Sequence, residues 1–171
     1  MMNEKDVIDL LKKIEQVGID VWIDGGWGVD ALLGRQTRPH NDIDIFVQKK
    51  DEAEFIKLLI SNGYSEVKVE FTTEDHTAWC DTENHTIDLH LFEFVGENLL
   101  SFNNETYPSE VIGGEGVIGE MTVRCLTAEA QLLYHQGYDH KEKDKHDVQL
   151  LCKAFGFPIP KEYEKIMPPL L

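Results

Sequence analysis

The first segment of the chain carries apolar residues at helical spacing. Successive apolar positions are three or four residues apart, which places them on one face of an α-helix. Asn3 is suited to cap that helix, because its side-chain oxygen accepts a hydrogen bond from a free backbone N–H group. Gly18 is suited to end it, since glycine adopts the left-handed conformation at little cost. The apolar face consists of Val7, Leu10, Leu11, Ile14 and Val17.

A short apolar run at residues 19–24 predicts a buried strand, which Gly25 and Gly26 interrupt. A short helix is predicted for residues 27–33. The next strand, residues 42–47, alternates acidic and apolar side chains. Because successive side chains of a strand point to opposite faces, its acids share one face and its apolar residues share the other.

The rest of the chain alternates between strand and helix patterns. Residues 51–63 predict a helix and residues 64–95 predict strands. Residues 96–108 are polar, have little periodicity and predict a loop. Glycine-centred residues 115–125 predict a hairpin. The last predicted elements are helices at 127–137 and 144–155.

These elements predict an α+β protein, in which helices flank a mixed sheet and a small helical part lies at the C-terminus. We expect residues 1–110 to form the core of the fold. Residues 111–171, the hairpin and the C-terminal helices, are expected to pack on that core as one compact unit.

Charge and composition limit the classes of partner. The chain has 171 residues and a formal net charge of −16, which disfavours nucleic acid, because binding a polyanion needs a basic surface. An acidic cleft would attract a cationic small molecule, although acidic charge also serves solubility alone. Three cysteines without a Cys-x-x-Cys pair, no secretory leader and no long apolar run predict a cytoplasmic protein without a membrane span.

The acidic strand is the strongest chemical signal. Asp42 and Asp44 are two residues apart and share a strand face, and Asp88 lies on another predicted strand. If the two strands are neighbours, three carboxylates converge, and Mg²⁺ prefers such oxygen ligands together with substrate phosphates. Asp42 and Asp44 are predicted to bind two metal ions, and Asp88 to bridge them or to take a proton from an attacking hydroxyl. The alternative is a solvated strand face.

The glycine turn upstream of these acids suggests a phosphate site. Gly25 and Gly26 allow close backbone approach, and the following helix N-terminus offers free N–H groups to phosphate. Arg38 lies in the loop before the acidic strand and is predicted to bind triphosphate oxygens. Lys145 is the lysine that we expect to reach the phosphates from the C-terminal part. A plain turn and solvated side chains are the alternatives.

The remaining candidate residues have weaker signals. The segment Gly114–Gly119 matches Gly-x-Gly-x-x-Gly, but a predicted strand rather than a helix follows it, so it is not interpreted as a dinucleotide site. Asp24 and Asp30 are interpreted as helix-end caps rather than as catalytic residues. His135 and Tyr138 are predicted to line a substrate pocket.

Three motifs together resemble the DNA polymerase β-like nucleotidyltransferases: Gly25-Gly26-Trp27, Asn41-Asp-Ile-Asp-Ile45 and Ile87-Asp-Leu-His90. Residues 22–34, 37–44 and 128–139 are similar to the small antibiotic nucleotidyltransferases that inactivate lincosamides. Residues 22–34 and 37–44 are also similar to the relatives of those enzymes that adenylylate aminoglycosides at the 2″ position.

The resemblance implies that a nucleoside monophosphate passes from ATP or another NTP to an antibiotic hydroxyl, with Mg²⁺ as cofactor and pyrophosphate as product. Aminoglycoside relatives are expected to carry an acid two residues after the third aspartate. This chain has His90 there, which favours a lincosamide and makes His90 a candidate for substrate binding. The alternatives are an aminoglycoside acceptor, a toxin-type protein nucleotidyltransferase and a non-catalytic NTP-binding module. Members of the family often form homodimers, and the sequence leaves open whether this chain does.

Overall fold

The computed structural model describes residues 1–137 and 140–165. The helices are α1 (Glu4–Gln16), α2 (Gly25–Leu33), α3 (Glu52–Ser61), α4 (Ala128–Tyr134), α5 (Glu142–Phe155) and α6 (Lys161–Glu164). The strands are β1 (Val21–Asp24), β2 (Asp42–Gln48), β3 (Ser65–Val67), β4 (His76–Cys80), β5 (Thr86–Gly96), β6 (Leu99–Phe102), β7 (Glu105–Pro108), β8 (Gly114–Ile118) and β9 (Met121–Cys125). Short 3₁₀ turns occupy Lys49–Asp51 and Ser109–Ile112.

The main sheet is mixed and has the strand order β3-β4-β5-β2-β1-β9-β8. Strand β2 runs parallel to β5 and antiparallel to β1, and β9 runs parallel to β1. The three strands at the centre are therefore β5, β2 and β1, which are the strands that carry the predicted acids.

Helix α1 begins as its sequence predicts. The Asn3 side chain accepts a hydrogen bond from the Asp6 backbone N–H at 3.1 Å, and the Asp6 carboxylate accepts one from the Asn3 N–H at 2.9 Å. This reciprocal pair satisfies two of the free N–H groups at the start of the helix.

The two faces of the central strands bury different chemistry. The face that meets α1 and α3 is fully apolar, and the alternating residues Ile43, Ile45, Ile87 and Leu89 are inaccessible to solvent. The opposite face carries the acids at the start of β2 and an aromatic cluster further along, with Trp22, Phe46 and Phe92 at its centre. The apolar face anchors the sheet, and the opposite face is left free to carry functional groups.

The sequence-based prediction of a loop at residues 96–108 is wrong. Strands β6 and β7 form a hairpin there, and β6 pairs with the far end of β5. Its turn is made by Asn103 and Asn104, which have φ values of 50° and 62°. Asparagine tolerates this left-handed region and favours tight hairpin turns, so the Asn-Asn pair was the available signal. The predicted run of strands at 64–95 is also interrupted, since β3 ends at Val67.

The glycine segment at residues 114–119 forms the predicted hairpin of β8 and β9. Gly116 lies against the backbone of Ala31 and Leu32 in α2, so that a Cβ atom at this position would overlap with that helix. The glycine therefore serves close packing of a strand on a helix. Strand β9 joins the hairpin to the main sheet through β1, and the boundary near residue 110 stays a prediction.

None of the helices in the described parts of the chain is long and apolar enough to cross a membrane.

Candidate active site

The register of three central strands places three carboxylates side by side. Asp24 at the end of β1 is opposite Asp44 of β2, and Asp44 is opposite Asp88 of β5. Asp42 precedes Asp44 by two residues and shares its strand face. Strands β2 and β5 are therefore neighbours, which is the condition for Asp42, Asp44 and Asp88 to converge. Asp24 joins these three predicted acids as a fourth.

The carboxylates perturb one another. Burial, followed by the charges of Asp44 and Asp42, raises the pKa of Asp88 to about 7. Burial and the charge of Asp44 also raise the pKa of Asp42. Burial acts in the same direction on Asp44, but a hydrogen bond from His90 and the charges of His90, Lys143 and His76 together outweigh it and lower the pKa of Asp44. The His90 Nε2 atom lies 3.5 Å from the Asp44 Oδ1 atom.

The glycine turn packs directly against these acids. Gly25 begins α2 immediately after β1 and has φ +58°, a conformation that side chains other than glycine rarely adopt. A Cβ atom on Gly25 would overlap with the carboxylate of Asp44, and one on Gly26 would overlap with the side chains of Arg38 and His40. Two glycines are thus required for the start of α2 to approach the acidic strand and its preceding loop.

Arg38 is held by a network of buried side chains. Its Nε and Nη2 atoms donate to the two carboxylate oxygens of Asp147 on α5, at 2.9 and 2.5 Å. Its Nη1 atom lies 3.0 Å from the His40 Nδ1 atom, and His40 Nε2 lies 2.5 Å from the Asp30 carboxylate. Asp30 also accepts hydrogen bonds from the backbone and hydroxyl of Thr37. The network orients the guanidinium, and it shows that Asp30 pairs with a loop rather than capping a helix.

A polar cavity of about 200 Å³ opens beside the acids and the glycine turn. Arg38, His135 and Lys143 are among the residues that line it. The predicted Lys145 lies outside this lining and donates instead to Glu142 at 2.5 Å, so Lys143 takes its place as the candidate lysine. The residues that line the polar cavity include Gly25, Gly26, Asp42 and Asp44.

A second cavity, of about 180 Å³, is lined mainly by apolar side chains and adjoins the polar one. Strands β6 and β7 contribute Leu100, Phe102 and Tyr107 to its wall. His90 lies in this apolar cavity with its ring stacked on Phe46, at a centroid distance of 4.6 Å. Asp24 and Tyr134 line both cavities. Their shared border brings an apolar chamber next to the acids.

The predicted site residues do not all line the same cavity. His90 lies in the apolar cavity, whereas His135 lies in the polar one, where its Nε2 atom is 3.7 Å from the Asp147 carboxylate. Asp88 lines neither cavity but is adjacent to Asp44 in the sheet. Tyr138 lies outside the described residues. Asp147 had no signal in the sequence, because it is 109 residues from the arginine that it binds.

The acids could hold a metal ion only with help from other ligands. In the part of the chain that the structure describes, no three His, Cys, Asp or Glu side chains are arranged to hold a metal ion by themselves. Mg²⁺ is usually bound by one or two carboxylates, and waters and substrate phosphates complete its coordination. The pair Asp42 and Asp44, lining a polar cavity of suitable chemistry, fits that mode.

Comparison with known proteins identifies the family to which this fold belongs. The family model for aminoglycoside-2″-adenylyltransferases matches residues 6–151, and the chain belongs to that family.

Individual relatives have two different acceptors in their names. A lincosamide resistance protein of Staphylococcus haemolyticus is 30% identical over 154 residues, which cover 88% of this chain and 94% of that protein. A 2″-aminoglycoside nucleotidyltransferase of Escherichia coli is 26% identical over 168 residues, which cover 86% and 84%. The lincomycin-bound structure of the lincosamide antibiotic adenylyltransferase LnuA matches with a TM-score of 0.77 and 28% identity, over 88% of this chain and 96% of that one. These findings confirm the predicted nucleotidyltransferase fold and class of enzyme.

Replacing Gly25 with alanine is expected to destabilise the protein more than the same change at Gly34. Both glycines have positive φ, 58° and 68°, so both variants lose about 1–2 kcal/mol from backbone strain. Only the Gly25 variant must also push Asp44 away from its place beside His90, because Gly34 has no atom within 4 Å of an added Cβ. Urea unfolding of both variants measures the difference, and equal losses would contradict the proposed close approach.

Asp88→Asn is expected to stabilise the metal-free protein more at pH 8 than at pH 5. An aspartate titrates near pH 4 in the unfolded chain, and its folded pKa is raised to about 7. The contribution of the wild-type Asp88 carboxyl to stability is therefore complete below about pH 4 and is lost as the pH rises through 7. Asparagine does not titrate, so the variant gains more over the wild type at pH 8.

Urea unfolding of wild type and variant at the two pH values, in EDTA, measures this difference. The exposed residue Asp9 has a lowered pKa, so Asp9→Asn is a control whose effect should not change between pH 5 and pH 8. An Asp88→Asn effect that is equally insensitive to pH would show that Asp88 titrates normally.

Proposed function

We propose that this protein catalyses Mg²⁺-dependent transfer of a nucleoside monophosphate from an NTP, ATP in the simplest case, to a hydroxyl group of a lincosamide antibiotic. The observation that carries the proposal is the shared border of the two cavities, with acids, a glycine turn and cations on the polar side and aromatic side chains on the other. A triphosphate needs the first environment and an amphiphilic acceptor needs the second.

The polar cavity is suited to a triphosphate. Gly25 and Gly26 open the N-terminus of α2, where free N–H groups and the helix dipole favour an anion. Arg38 and Lys143 supply positive charge from two different elements. Lys143 acts electrostatically on Asp42, Asp44 and Asp88. We assign Lys143, in place of Lys145, to the phosphates.

Asp42 and Asp44 would hold Mg²⁺, with Asp88 as a third ligand or as a base. When bound, the metal supplies charge stabilisation to the phosphoryl oxygens and to the leaving pyrophosphate. A second ion at the same acids would fit the two-metal mode of phosphoryl transfer. Burial and the neighbouring acids raise the pKa values of Asp42 and Asp88. A divalent ion bound among these carboxylates would stabilise their charged forms and lower both pKa values.

The chemistry assigned to the chain's own residues is proton removal and alignment. The acceptor hydroxyl gives its proton to the Asp88 carboxylate, which lies beside Asp44 in the sheet. The hydroxyl oxygen forms a bond to the α-phosphorus, and the bond between that phosphorus and the pyrophosphate oxygen breaks. Arg38 remains oriented by Asp147 throughout, which limits its reorganisation.

A lincosamide suits the apolar cavity better than an aminoglycoside does. Leu100, Phe102 and Val111 present hydrocarbon to the acceptor, and a lincosamide carries an alkyl-substituted ring whereas an aminoglycoside is polar throughout. His90 stands two residues after Asp88, at the position where the aminoglycoside relatives are expected to carry an acid. The aminoglycoside 2″-hydroxyl remains the second candidate because of the family match. A cytoplasmic location and a homodimer stay predictions.

Incubating the protein with ATP, Mg²⁺ and either lincomycin or tobramycin tests the acceptor. We expect lincomycin to gain the mass of one adenylyl group and tobramycin to remain unchanged, as measured by mass spectrometry. Repeating the reaction with GTP, CTP and UTP ranks the nucleotides. Adenylylation of tobramycin alone would replace the lincosamide by the second candidate, and modification of neither drug would overturn both.

Asp44→Asn is expected to lower kcat at least about 10³-fold, because the loss of a metal-binding carboxylate removes about 4 kcal/mol of transition-state stabilisation. Asp9→Asn is the matched control, since Asp9 is an exposed partner of Lys5 on α1 and such a pair contributes little to stability. Initial rates at saturating ATP and lincomycin measure both variants. Near-normal kcat for a folded Asp44→Asn protein would remove this residue from the proposed metal site.

A further inference from the structure

Asp24 ends strand β1 at the border between the polar and the apolar cavity, and it lines both. In the apolar cavity it is the only carboxylate among the described residues that form the lining. Its neighbour Asp44 lines the polar cavity alone. Asp24 thus differs from Asp42, Asp44 and Asp88, because it alone among these acids lines the apolar cavity as well as the polar one.

Asp24 has a backbone N–H partner but no cationic one in the described parts of the chain. The backbone N–H of Gly25 interacts with its carboxylate, yet Asp24 makes no side-chain capping hydrogen bond further into α2, contrary to the sequence-based interpretation. In residues 1–137 and 140–165 it forms no ion pair within 4.0 Å, whereas Arg38 is committed to Asp147. Burial, followed by the charge of Asp44, raises the pKa of Asp24, and His90, His135 and the backbone N–H of Gly25 oppose that rise only in part. A nearby cation would offset this cost.

We infer that Asp24 is the residue that selects a cationic acceptor, by pairing with a protonated amine of the drug that occupies the apolar cavity. The inference rests on the proposed function and deepens it. Lincomycin carries one such amine, on its pyrrolidine ring, next to an alkyl chain. That combination matches a cavity with hydrocarbon walls and a single carboxylate.

The position of Asp24 favours an acceptor amine over a role on the nucleotide side. Arg38 and Lys143 line the polar cavity but are absent from the lining of the apolar cavity. The side of Asp24 that faces the apolar cavity therefore has no lysine or arginine beside it among the residues of that lining. A carboxylate without such a cation would repel phosphate and attract an ammonium group.

A thermodynamic cycle tests the pairing: the Asp24 carboxylate and the drug's pyrrolidine amine are altered separately and together, and the binding free energies are compared. The ligands are lincomycin and N-demethyllincomycin acetylated on its pyrrolidine nitrogen, which cannot be protonated there. Binding is measured by calorimetry in EDTA and without nucleotide, so that any effect on metal binding is absent. Asp24→Asn is expected to weaken lincomycin binding at least about tenfold and binding of the amide less than about twofold, since a hydrogen bond to a charged group contributes about 1.5–3 kcal/mol.

Asp44→Asn is the matched control for this cycle. It removes the same charge one strand away, from a residue that lies outside the lining of the apolar cavity, and it should weaken binding of both ligands by similar factors. If Asp24→Asn also weakens both ligands equally, Asp24 only shapes the cavity and the inference is overturned.

A measurement on the wild-type protein keeps the test independent of any variant's folding. The N-methyl carbon resonance of lincomycin reports the pKa of its pyrrolidine nitrogen, which a neighbouring carboxylate should raise in the complex. An unchanged or lowered pKa would overturn the pairing.

The outcome for the proposed function is separate, because the drug-modification assay decides it. If the wild-type protein modifies lincomycin but Asp24→Asn weakens binding of both ligands equally, the proposed function stands and only the role of Asp24 is overturned. If tobramycin is the substrate instead, the ligand pair becomes tobramycin and its fully N-acetylated form. Modification of neither drug overturns the function and this inference together.

Discussion

The pairing register of β1, β2 and β5 is the constraint on which the rest of the site depends. It fixes Asp24, Asp44 and Asp88 as lateral neighbours in the sheet. Like charges at that spacing repel, so the arrangement is unfavourable by itself. It persists because the same strands bury Ile43 and Ile87 completely on their other face, and a one-residue slip would move every apolar side chain out of the core. Core packing thus holds the acids together.

The buried pair of Arg38 and Asp147 connects two parts of the chain in a similar way. Their side chains are 16% and 1% exposed, and removing one partner of such a pair typically costs about 3–5 kcal/mol because the other charge is left buried. The pair fixes the loop before β2 against α5, so the helix that carries Lys143 is held next to the glycine turn. The orientation of the polar cavity therefore depends on residues from both ends of the chain.

Local signals in the sequence predicted one half of the site and missed the other. Alternation around Asp42 and the glycine turn are short-range patterns, and the structure places them together. Lys143 lines the polar cavity and Lys145 does not, because a shift of two residues turns a helical side chain to another face. Asp147 and Asp24 acquire their partners and surroundings only from tertiary contacts, which no local pattern encodes.

The contrast between local patterns and tertiary contacts also applies to how enzymes of this fold come to use different acceptors. The polar cavity is lined by residues of β1, α2, β2, the loop before β2 and the helices α4 and α5, and its proposed role with phosphate and metal does not depend on the acceptor. Half of the residues that line the apolar cavity come from β6, β7 and the 3₁₀ turn after them, and the two strands lie in the segment in which the sequence predicted a loop. Hydrocarbon side chains there carry no chemical signature, yet under the proposed function they determine the shape that an acceptor meets. Substitutions in this hairpin can therefore change the acceptor without disturbing the acids, whereas Asp24, which borders both cavities, cannot change without affecting both.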